Sequence, residues 1–456
     1  MRARAIFLSV LFLAGCATIT GFVVHSSAAS ADEALVCTVA PKYDATAWIH
    51  GGERFPQGAA IVIREGGKVR KLAPDFAASA DPNISFDGKS VLFAGKKAAG
   101  DPWQIWEVDL DDGTVRRIVN AKEDVVRPMY LPEGRVVFAH KRGGNLVIEA
   151  AAMSGEKPLG LFYAPGSAMP TDVLRDGRIL FEATYPLGYG ETPETYTVYS
   201  DGSGVESYRC DHGKPRYSAR ETASGDIVFT RGRGLARFTS PLAHDIEISA
   251  PVGEYAGDVV ELADGEWLLS YRADAKSPFA LKRWKPGAAT LTSVANEANA
   301  SLVQAVPVAA RTVPNRHPSG LHPWTYANLL TLNAYTSKSK FPAGSIAQVR
   351  LYSQDAAGKP LALGSAPVEK DGSFFVQVPG DRPLQFELLD SSGRTLKKEA
   401  GWWYARAGEQ RICVGCHAGP ERAPDNAVPA VLLRSTEPAD LTGTKGPNRT
   451  SETGGN

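Results

Sequence analysis

The chain has 456 residues, of which 43% are hydrophobic and 22% are charged, an ordinary globular composition that predicts two or three domains. Its 50 basic and 50 acidic residues cancel and no basic run occurs, which argues against binding to nucleic acid or to an anionic membrane surface. The 45 glycines and 31 prolines indicate many turns and favour an all-β fold.

Residues 1–31 have the features of an export signal, because two arginines precede the apolar run from Ala5 to Leu13. The sequence up to Cys16 resembles a lipoprotein box, which would make Cys16 a lipid anchor. Ala29-Ser-Ala31 suits ordinary signal peptidase, and a retained anchor helix is a third possibility. In each case the mature protein is expected outside the cytoplasm, in the periplasm, where disulfides persist.

Short apolar strands recur between residues 38 and 297, each just after a glycine turn. The turn glycines are 46, 43, 48 and 40 residues apart, which is the length of one four-stranded propeller blade. They are Gly88, Gly134, Gly177, Gly225 and Gly265. The hairpin from Gln104 to Val119, with its Asp-Gly turn, is the clearest second strand pair.

A hairpin over residues 60–72 looks like the outer half of another blade, so the sequence predicts a β-propeller of about six blades, or seven if the ends contribute one more. The run from Pro82 to Phe93 resembles the TolB-type repeats of bacterial periplasmic propellers. Such a scaffold implies a binding face made by loops and decides little else. Three histidines here, His140, His212 and His244, are expected to be ordinary surface or packed residues.

Residues 298–400 are predicted to form a linker and a small antiparallel β-sandwich. Four prolines between Val306 and Trp324 fit neither a helix nor a central strand, so this stretch is expected to lie along a surface. Alternating apolar residues resume at Leu329, and Asp-Gly and Ser-Gly turns separate the strands. The linker carries His317 and His322, the histidines between the propeller repeats and the C-terminal segment.

The segment 401–434 contains the motif Cys413-Val-Gly-Cys416-His417. Two thiols at this spacing can each add to one vinyl group of a haem, and the histidine after the second thiol can reach the iron. A redox Cys-x-x-Cys pair and half of a zinc site share the spacing. A redox pair does not require the histidine, and the sequence offers no second pair of zinc ligands afterwards. We therefore predict one covalent haem c with His417 as an axial ligand.

A second axial ligand must come from elsewhere in the fold, and His317 is the first candidate and His322 the second. Trp402 and Trp403, just before the motif, would either wall one face of the haem or belong to the sandwich core.

Arg406 and Arg411 suit haem propionates, although surface salt bridges would explain them equally well. After Arg434 the sequence is polar, glycine-rich and without apolar periodicity. Residues 435–456 are therefore predicted to be disordered.

The two remaining cysteines are Cys37 and Cys210. In an oxidising compartment they would most simply form a disulfide. A metal site is the rival role for Cys210, because Cys210-Asp211-His212 puts three possible ligands together. The sequence leaves both roles open.

The order of propeller, sandwich and haem motif resembles the hydrazine synthase alpha subunit and its wider family of propeller cytochromes, most specifically from Gly344 to His417. The resemblance implies a catalytic haem in the middle domain, a motif histidine on a nearby zinc and an iron-binding tyrosine four residues later. This chain has Glu421 at that position. If the zinc arrangement carries over, Cys210 is its propeller-side thiolate beside His417.

Because that tyrosine is missing, we predict an exported c-type cytochrome that exchanges electrons with a periplasmic redox protein partner. One alternative is a haem enzyme, an oxidoreductase whose iron keeps an open position at the interface of propeller and sandwich. Another is a non-catalytic propeller that binds a partner and uses the haem structurally. The sequence does not decide whether the protein is an enzyme.

Overall fold

Strands and turns make up nearly all of the regular structure, which confirms the all-β prediction. The computed structural model describes residues 33–155, 157–184, 192–209, 213–355, 357–416 and 425–443. No helix within these ranges has the length and apolar character needed to cross a membrane. The predicted export segment, with Cys16, lies outside the described residues.

Six antiparallel sheets follow one another up to residue 307 and form the predicted propeller of six blades. In sheet order, blade 1 contains β25 (Ser301–Pro307), β1 (Leu35–Ala40), β2 (Ala60–Glu65) and β3 (Lys68–Lys71). Blade 2 contains β4 (Ala78–Ile84), β5 (Ser90–Lys96), β6 (Gln104–Asp109) and β7 (Val115–Val119). Blade 3 contains β8 (Val125–Leu131), β9 (Arg135–Arg142), β10 (Asn145–Ala152) and β11 (Leu159–Gly160).

The second half of the propeller repeats this arrangement. Blade 4 contains β12 (Ala168–Val173), β13 (Ile179–Ala183), β14 (Glu194–Val198) and β15 (Glu206–Ser207). Blade 5 contains β16 (Tyr217–Glu221), β17 (Ile227–Arg231), β18 (Gly234–Phe238) and β19 (Ile246–Ile248). Blade 6 contains β20 (Glu254–Tyr255) and β21 (Val260–Glu261), both paired with β22 (Trp267–Arg272), followed by β23 (Ala280–Trp284) and β24 (Thr292–Ala295).

Blade 1 closes the ring by combining strands from both ends of the propeller. Its inner strand β25 follows blade 6 in the chain and pairs antiparallel with β1. The propeller therefore extends to Pro307, beyond the predicted boundary at residue 297. That boundary was set where the glycine turns stop, and β25 belongs to no hairpin of its own.

A ring of polar residues surrounds the propeller axis, with one member from the inner part of each blade. The members are Asp81, Arg127, Thr171, Ser218, Asp258 and Gln304. In blades 2 to 5 the member lies where the inner strand shifts register against its neighbour, and in blade 6 it separates β20 from β21. All except Thr171 have a positive φ, between 54° and 59°. This left-handed backbone is unfavourable for residues with a side chain, so the surrounding contacts must hold it.

Buried ion pairs provide those contacts. Arg127 donates to both carboxylate oxygens of Asp258, and Arg54 does the same to Asp81. The amide of Gln304 donates to Asp81 over 2.6 Å. Each of these buried charges therefore meets an opposite charge, which offsets the cost of burying it.

The middle domain is the predicted β-sandwich of two four-stranded sheets. One sheet, in order, contains β32 (Gln410–Cys413), β26 (Tyr326–Thr331), β29 (Phe374–Pro379) and β33 (Ala439–Asp440). The other contains β28 (Pro360–Pro367), β27 (Gln348–Gln354), β30 (Leu384–Leu389) and β31 (Thr395–Lys398). The helical elements are a 3₁₀ helix (Ala47–His50) and α1 (Ala430–Arg434).

The C-terminal segment is part of this sandwich rather than an appendage. β32 pairs parallel with β26, and β33 pairs parallel with β29. Leu441 is 4% exposed within the sandwich core, and its N–H donates to the Gln377 carbonyl. The prediction of a disordered tail is therefore wrong for residues 435–443, because one buried leucine and ladder hydrogen bonds fix a polar stretch. Residues 444–456 lie outside the described part.

The proline-rich linker, residues 308–323, has no regular secondary structure and lies along the propeller. The N–H of Arg311 donates to the Phe86 carbonyl, and that of Asn315 to the Arg175 carbonyl, both over 2.9 Å. Phe86 and Arg175 stand at the turns between the first two strands of blades 2 and 4. The linker thus crosses the face of the propeller that these turns form.

Candidate functional site

The two thiols of the Cys-x-x-Cys motif lie at an edge of the sandwich. β32 ends at Cys413, which pairs with Thr331 of β26, and its carbonyl accepts the N–H of Leu332 over 2.9 Å. Cys413 and Cys416 are partly exposed and pack against the sandwich core. The sheet therefore fixes where the motif begins. His417 and Glu421 lie outside the described residues.

Gly415 presses the motif loop against the turn at residues 333–336. A Cβ at this position would lie 2.3 Å from the Thr336 carbonyl oxygen and 2.8 Å from that of Asn333. Since backbone atoms cannot yield at such distances, only glycine fits here. This close approach holds the loop that carries both thiols.

Burial acts on both thiols in the same direction. It raises the pKa of the Cys413 thiol, an effect that the neighbouring Arg411 guanidinium opposes. Burial raises the pKa of Cys416 to about 12, helped by the charges of Glu399 and Cys413. Both shifts are opposite in direction to those of the low-pKa thiolates of redox Cys-x-x-Cys pairs.

Three neighbours of the thiols fit a covalently bound porphyrin. Ile412, just before Cys413, is 67% exposed and offers apolar surface that a macrocycle would cover. Nη1 of Arg411 is buried and makes no hydrogen bond, and its ion-pair contact with Oε1 of Glu409 is long, at 3.7 Å, so it remains a donor that a propionate would satisfy. The buried Nε1 of Trp403 also lacks a partner.

A docking segment, residues 404–411, joins the motif to blade 4. The Tyr404 hydroxyl, in a fully buried side chain, donates to the Leu161 carbonyl over 2.6 Å. Nε of Arg406 donates to the Asp201 carbonyl over 2.9 Å. Nη2 of Arg411 donates to the Val205 carbonyl. Three consecutive parts of the segment therefore contact the propeller.

Glu409 holds the same segment in place through two hydrogen bonds. One of its carboxylate oxygens accepts the N–H of Arg406 over 2.8 Å, and the other accepts the N–H of Gly204 in blade 4 over 3.1 Å. The carboxylate thus bridges the turn before β32 to the turn between β14 and β15. This places the motif loop at the interface of propeller and sandwich.

Arg406 has the protein partners that the salt-bridge alternative expects, and its role toward a propionate stays a prediction. Its side chain is buried, donates to the Tyr163 hydroxyl over 3.1 Å and forms an ion pair with Asp381, in addition to its bond with Asp201. Through these partners Arg406 joins the sandwich to the propeller. Arg411 keeps one nitrogen available, so its role toward a propionate stays a prediction.

Of the two tryptophans before the motif, Trp402 is buried and Trp403 is partly buried. Trp403 packs against Phe386, with ring centroids 5.1 Å apart, and its backbone pairs with Leu384 in the sandwich. It shares the core cluster with both motif thiols. Trp402 is 9% exposed. Trp403 therefore packs against the sandwich core beside the thiols, and its role in walling a haem stays a prediction.

The two candidate distal histidines stack on different aromatic side chains. His317 stacks on Tyr199 of blade 4, with centroids 3.6 Å apart. His322 stacks on Trp324 at 4.1 Å, and its Nε2 is 2.8 Å from Nε2 of Gln410 at the start of β32. The structure thus brings His322, the second candidate, to the strand that carries Cys413. Axial ligation by either histidine stays a prediction.

Cys37 is a buried free thiol in β1, packed between blades 1 and 6. Cys210 lies outside the described residues, but its neighbour Arg209 contacts carbonyls of Pro241 and Leu242 after β18 in blade 5. The disulfide between Cys37 and Cys210 therefore stays a prediction.

The minority zinc hypothesis for Cys210 and His417 involves residues outside the described ranges. Within those ranges, no group of three or more His, Cys, Asp and Glu side chains could hold a metal ion. His140 contacts Glu149 over 2.7 Å, and His244 lies 3.3 Å from Arg209, so both have protein partners as expected. His212 is not among the described residues.

Sequence reasoning missed the residues that position the motif. Tyr404 acts through Leu161, just after β11 of blade 3, and Glu409 acts through the turn between β14 and β15 of blade 4, and no local sequence pattern predicts either contact. Gly415 is different, because a glycine between the two cysteines is visible in the sequence, and only its contact with the 333–336 turn required the structure.

Comparisons with known proteins match the fold and part of the sequence. Residues 336–418 match the family described as "Hydrazine synthase alpha subunit middle domain". Hydrazine synthase subunit alpha of Kuenenia stuttgartiensis is 32% identical over 84 residues, which are 18% of this chain and 10% of that protein. The chain therefore spans about a tenth of this relative in the aligned sequence.

Solved structures are similar over a longer range. Hydrazine synthase of Kuenenia stuttgartiensis aligns with a TM-score of 0.78 at 18% identity, covering 88% of this chain and 72% of that chain. TolB from Acinetobacter baumannii aligns with a TM-score of 0.48 at 13% identity, covering 62% and 69% respectively. The first alignment shows that the propeller and the sandwich share a fold with the hydrazine synthase chain.

Proposed function

We propose, from the premise that this chain belongs to the hydrazine synthase alpha-like family through its middle domain, that it is an exported haem-dependent oxidoreductase. The haem c would be bound by Cys413 and Cys416, with His417 on the iron. The observation that carries this proposal is the match of residues 336–418, which include the whole motif, to the middle domain of an enzyme subunit.

The described residues support a site between the two domains. The docking segment holds the motif loop against blade 4, while Gly415 fixes the loop on the sandwich. Ile412 and Arg411 offer an apolar surface and a buried donor beside the thiols. When bound, haem would supply one-electron redox chemistry and a coordination position at iron. The chain itself would orient the group and restrict water at its inner edge.

Electron transfer without a substrate site is the second candidate, because Glu421 replaces the tyrosine expected from the family. Enzyme function is preferred because the matched domain comes from an enzyme and because the motif lies at a domain interface rather than on an isolated surface. The relative is named as a subunit, so we propose that this chain also works with a protein partner in the periplasm, including a redox protein.

Spectroscopy of the mature protein, produced with cytochrome maturation machinery, tests the proposal. We expect a Soret band, covalent haem mass, and a reduced form that binds carbon monoxide rapidly because one iron position is open. A low-spin, six-coordinate iron in both redox states that excludes carbon monoxide would support electron transfer instead. A polypeptide without covalent haem would overturn both readings.

A further inference from the structure

An open groove lies on blade 6, at the end of the propeller opposite the linker. Its lining residues lie between 271 and 298, in β22, β23, β24 and the connections 273–279 and 296–300. Because successive strands alternate in direction, both connections stand at the end of the blade away from the turns that the linker crosses. The groove has a volume of about 490 Å³, within the range of small-molecule sites.

The floor of the groove is one face of the blade 6 sheet. Tyr271 pairs with Ala280, and Lys282 pairs with Ser293 of the outer strand. Ala280 and Lys282 lie two positions apart in β23, and alternate residues of a strand share a face. These four residues therefore point to the same side, and all four line the groove. All four are partly or fully exposed, so the floor is open to a ligand.

Flat apolar surfaces form the walls of the groove. The Tyr271 ring is held in place, because its hydroxyl donates to the Val252 carbonyl over 2.7 Å and its ring centroid lies 5.4 Å from that of Tyr255. Pro278 lines the groove from the connection after β22, and Ala298 lines it from the connection after β24. The rings of tyrosine and proline suit the flat face of an aromatic ligand.

Three charged side chains line the groove, and two of them are already paired. Nε of Arg272 donates to the Glu254 carboxylate over 2.6 Å. Glu297 forms an ion pair with Arg64 of blade 1. These charges therefore cancel within the protein, and the third charged side chain, Lys282, remains.

Lys282 contributes a cation to the floor. Its Nζ donates to Ser293 Oγ over 3.3 Å, and it forms no ion pair with any residue that the structure describes. Asn296, an exposed lining residue, follows Ala295, which pairs with Leu281 beside the lysine. The ammonium and the amide both offer N–H donors. One cation with a neutral donor beside it suits a ligand that carries a single negative charge.

We propose that this groove binds a small monocarboxylate that carries an aromatic ring. Lys282 and Asn296 hold the carboxylate through charge-assisted hydrogen bonds, and the ring lies between Tyr271 and Pro278. Removal of the ring from water adds to the affinity. The haem motif docks on blade 4, so this site is independent of the haem and of the proposed function.

Calorimetric titration of the mature full-length protein tests the proposal with four related probes. Phenylacetate carries the ring and the charge, phenylacetamide is its neutral counterpart, phenethylamine reverses the charge, and acetate lacks the ring. We expect phenylacetate to bind about tenfold more tightly than each of the others. Absence of binding heat with millimolar phenylacetate, or equal affinity for phenylacetate and phenylacetamide, would overturn the proposal.

Three variants locate the site. Lys282→Met removes the cation, and Ala298→Phe places a ring in the groove at an exposed position. Each should weaken phenylacetate binding about tenfold. Lys285→Met, at an exposed lysine in the turn at the other end of β23, should leave it unchanged. Wild-type affinity in both folded groove variants would refute the assignment. If Lys282→Met does not fold, Ala298→Phe and the four probes on the wild type decide.

Discussion

Arg127 of blade 3 and Asp258 of blade 6 form a buried ion pair across the propeller axis. Their side chains are 6% and 4% exposed. Blades 3 and 6 stand opposite each other in a ring of six, so no strand pairing connects them. The ion pair is therefore a direct bond between opposite sides of the ring.

Asp258→Asn should strongly destabilise the propeller. Asparagine tolerates the left-handed backbone at this position, but it leaves the charge of Arg127 without its main partner. We expect the free energy of unfolding to fall by about 3–5 kcal/mol, measured by urea denaturation. Asp264→Asn is the matched control in the same blade, because its partly exposed pair with Arg283 should contribute about 1 kcal/mol or less. Equal losses in the two variants would contradict the central role of the axial pair.

Glu182→Gln should change how stability depends on pH. Burial raises the pKa of Glu182 to about 8, with the Arg127 charge opposing this shift. The folded state thus favours the neutral carboxyl. The stability that this adds to the folded state is fully present below the unfolded pKa near 4.5 and is lost as the pH rises to about 8. Glutamine should leave stability unchanged near pH 4 and increase it at pH 8 by on the order of 2–4 kcal/mol.

The control for this pH profile is Glu247→Gln, because the side chain of Glu247 is 78% exposed. Urea denaturation of the three proteins between pH 4 and pH 9 gives the comparison. A Glu182→Gln curve that runs parallel to the wild type across this range would show that Glu182 is charged in the folded protein.

Gly415→Ala should reduce haem attachment. The new Cβ would collide with the carbonyls of Thr336 and Asn333, so the loop must move away from the sandwich, at a cost of about 1–3 kcal/mol. We expect a lower ratio of Soret to protein absorbance after co-expression with the maturation machinery. Gly320→Ala, where a Cβ meets no atom within 4 Å, should attach haem normally. Normal haem content in Gly415→Ala would mean that this contact does not position the thiols.

Arg406→Ala should loosen the contact between the sandwich and blade 4. The change removes hydrogen bonds to Asp201 and Tyr163 and leaves Asp381 without its cation. We expect trypsin to cleave several-fold faster at Arg316 in the linker, whose side chain is 67% exposed. Arg382→Ala removes an exposed arginine of the sandwich and is the control. Equal cleavage rates in the two variants would refute the role of Arg406 in docking.

The propeller could be predicted from the sequence because its turns repeat. The same period also contained the axial ring, since Asp81, Arg127, Ser218 and Asp258 each precede their turn glycine by seven residues. These four positions carry three residue types, Asp, Arg and Ser, so no single residue type marks them. Their common property is a left-handed backbone at a break in strand register, which becomes visible only when the blades are assembled.

The motif itself was readable because thioether attachment demands a fixed local spacing. Its surroundings were not, since the partners of Glu409 and Arg406 lie about 200 residues earlier in the chain. The contacts of Arg406 with Asp201 and Tyr163 could not be predicted for this reason. The end of the sandwich was missed in the same way, because the strand at Ala439 is too short to show alternation.

The pairing of β25 with β1 also sets the order in which the molecule can be completed. Residues 41–300 separate these two strands. During synthesis, which begins at the N-terminus, one edge of β1 therefore stays exposed until β25 has followed the sixth blade. An unpaired edge of this kind invites pairing with other chains. β25 therefore closes the ring of blades and covers the exposed edge of β1. A truncation before residue 301 should yield aggregates rather than a five-bladed protein.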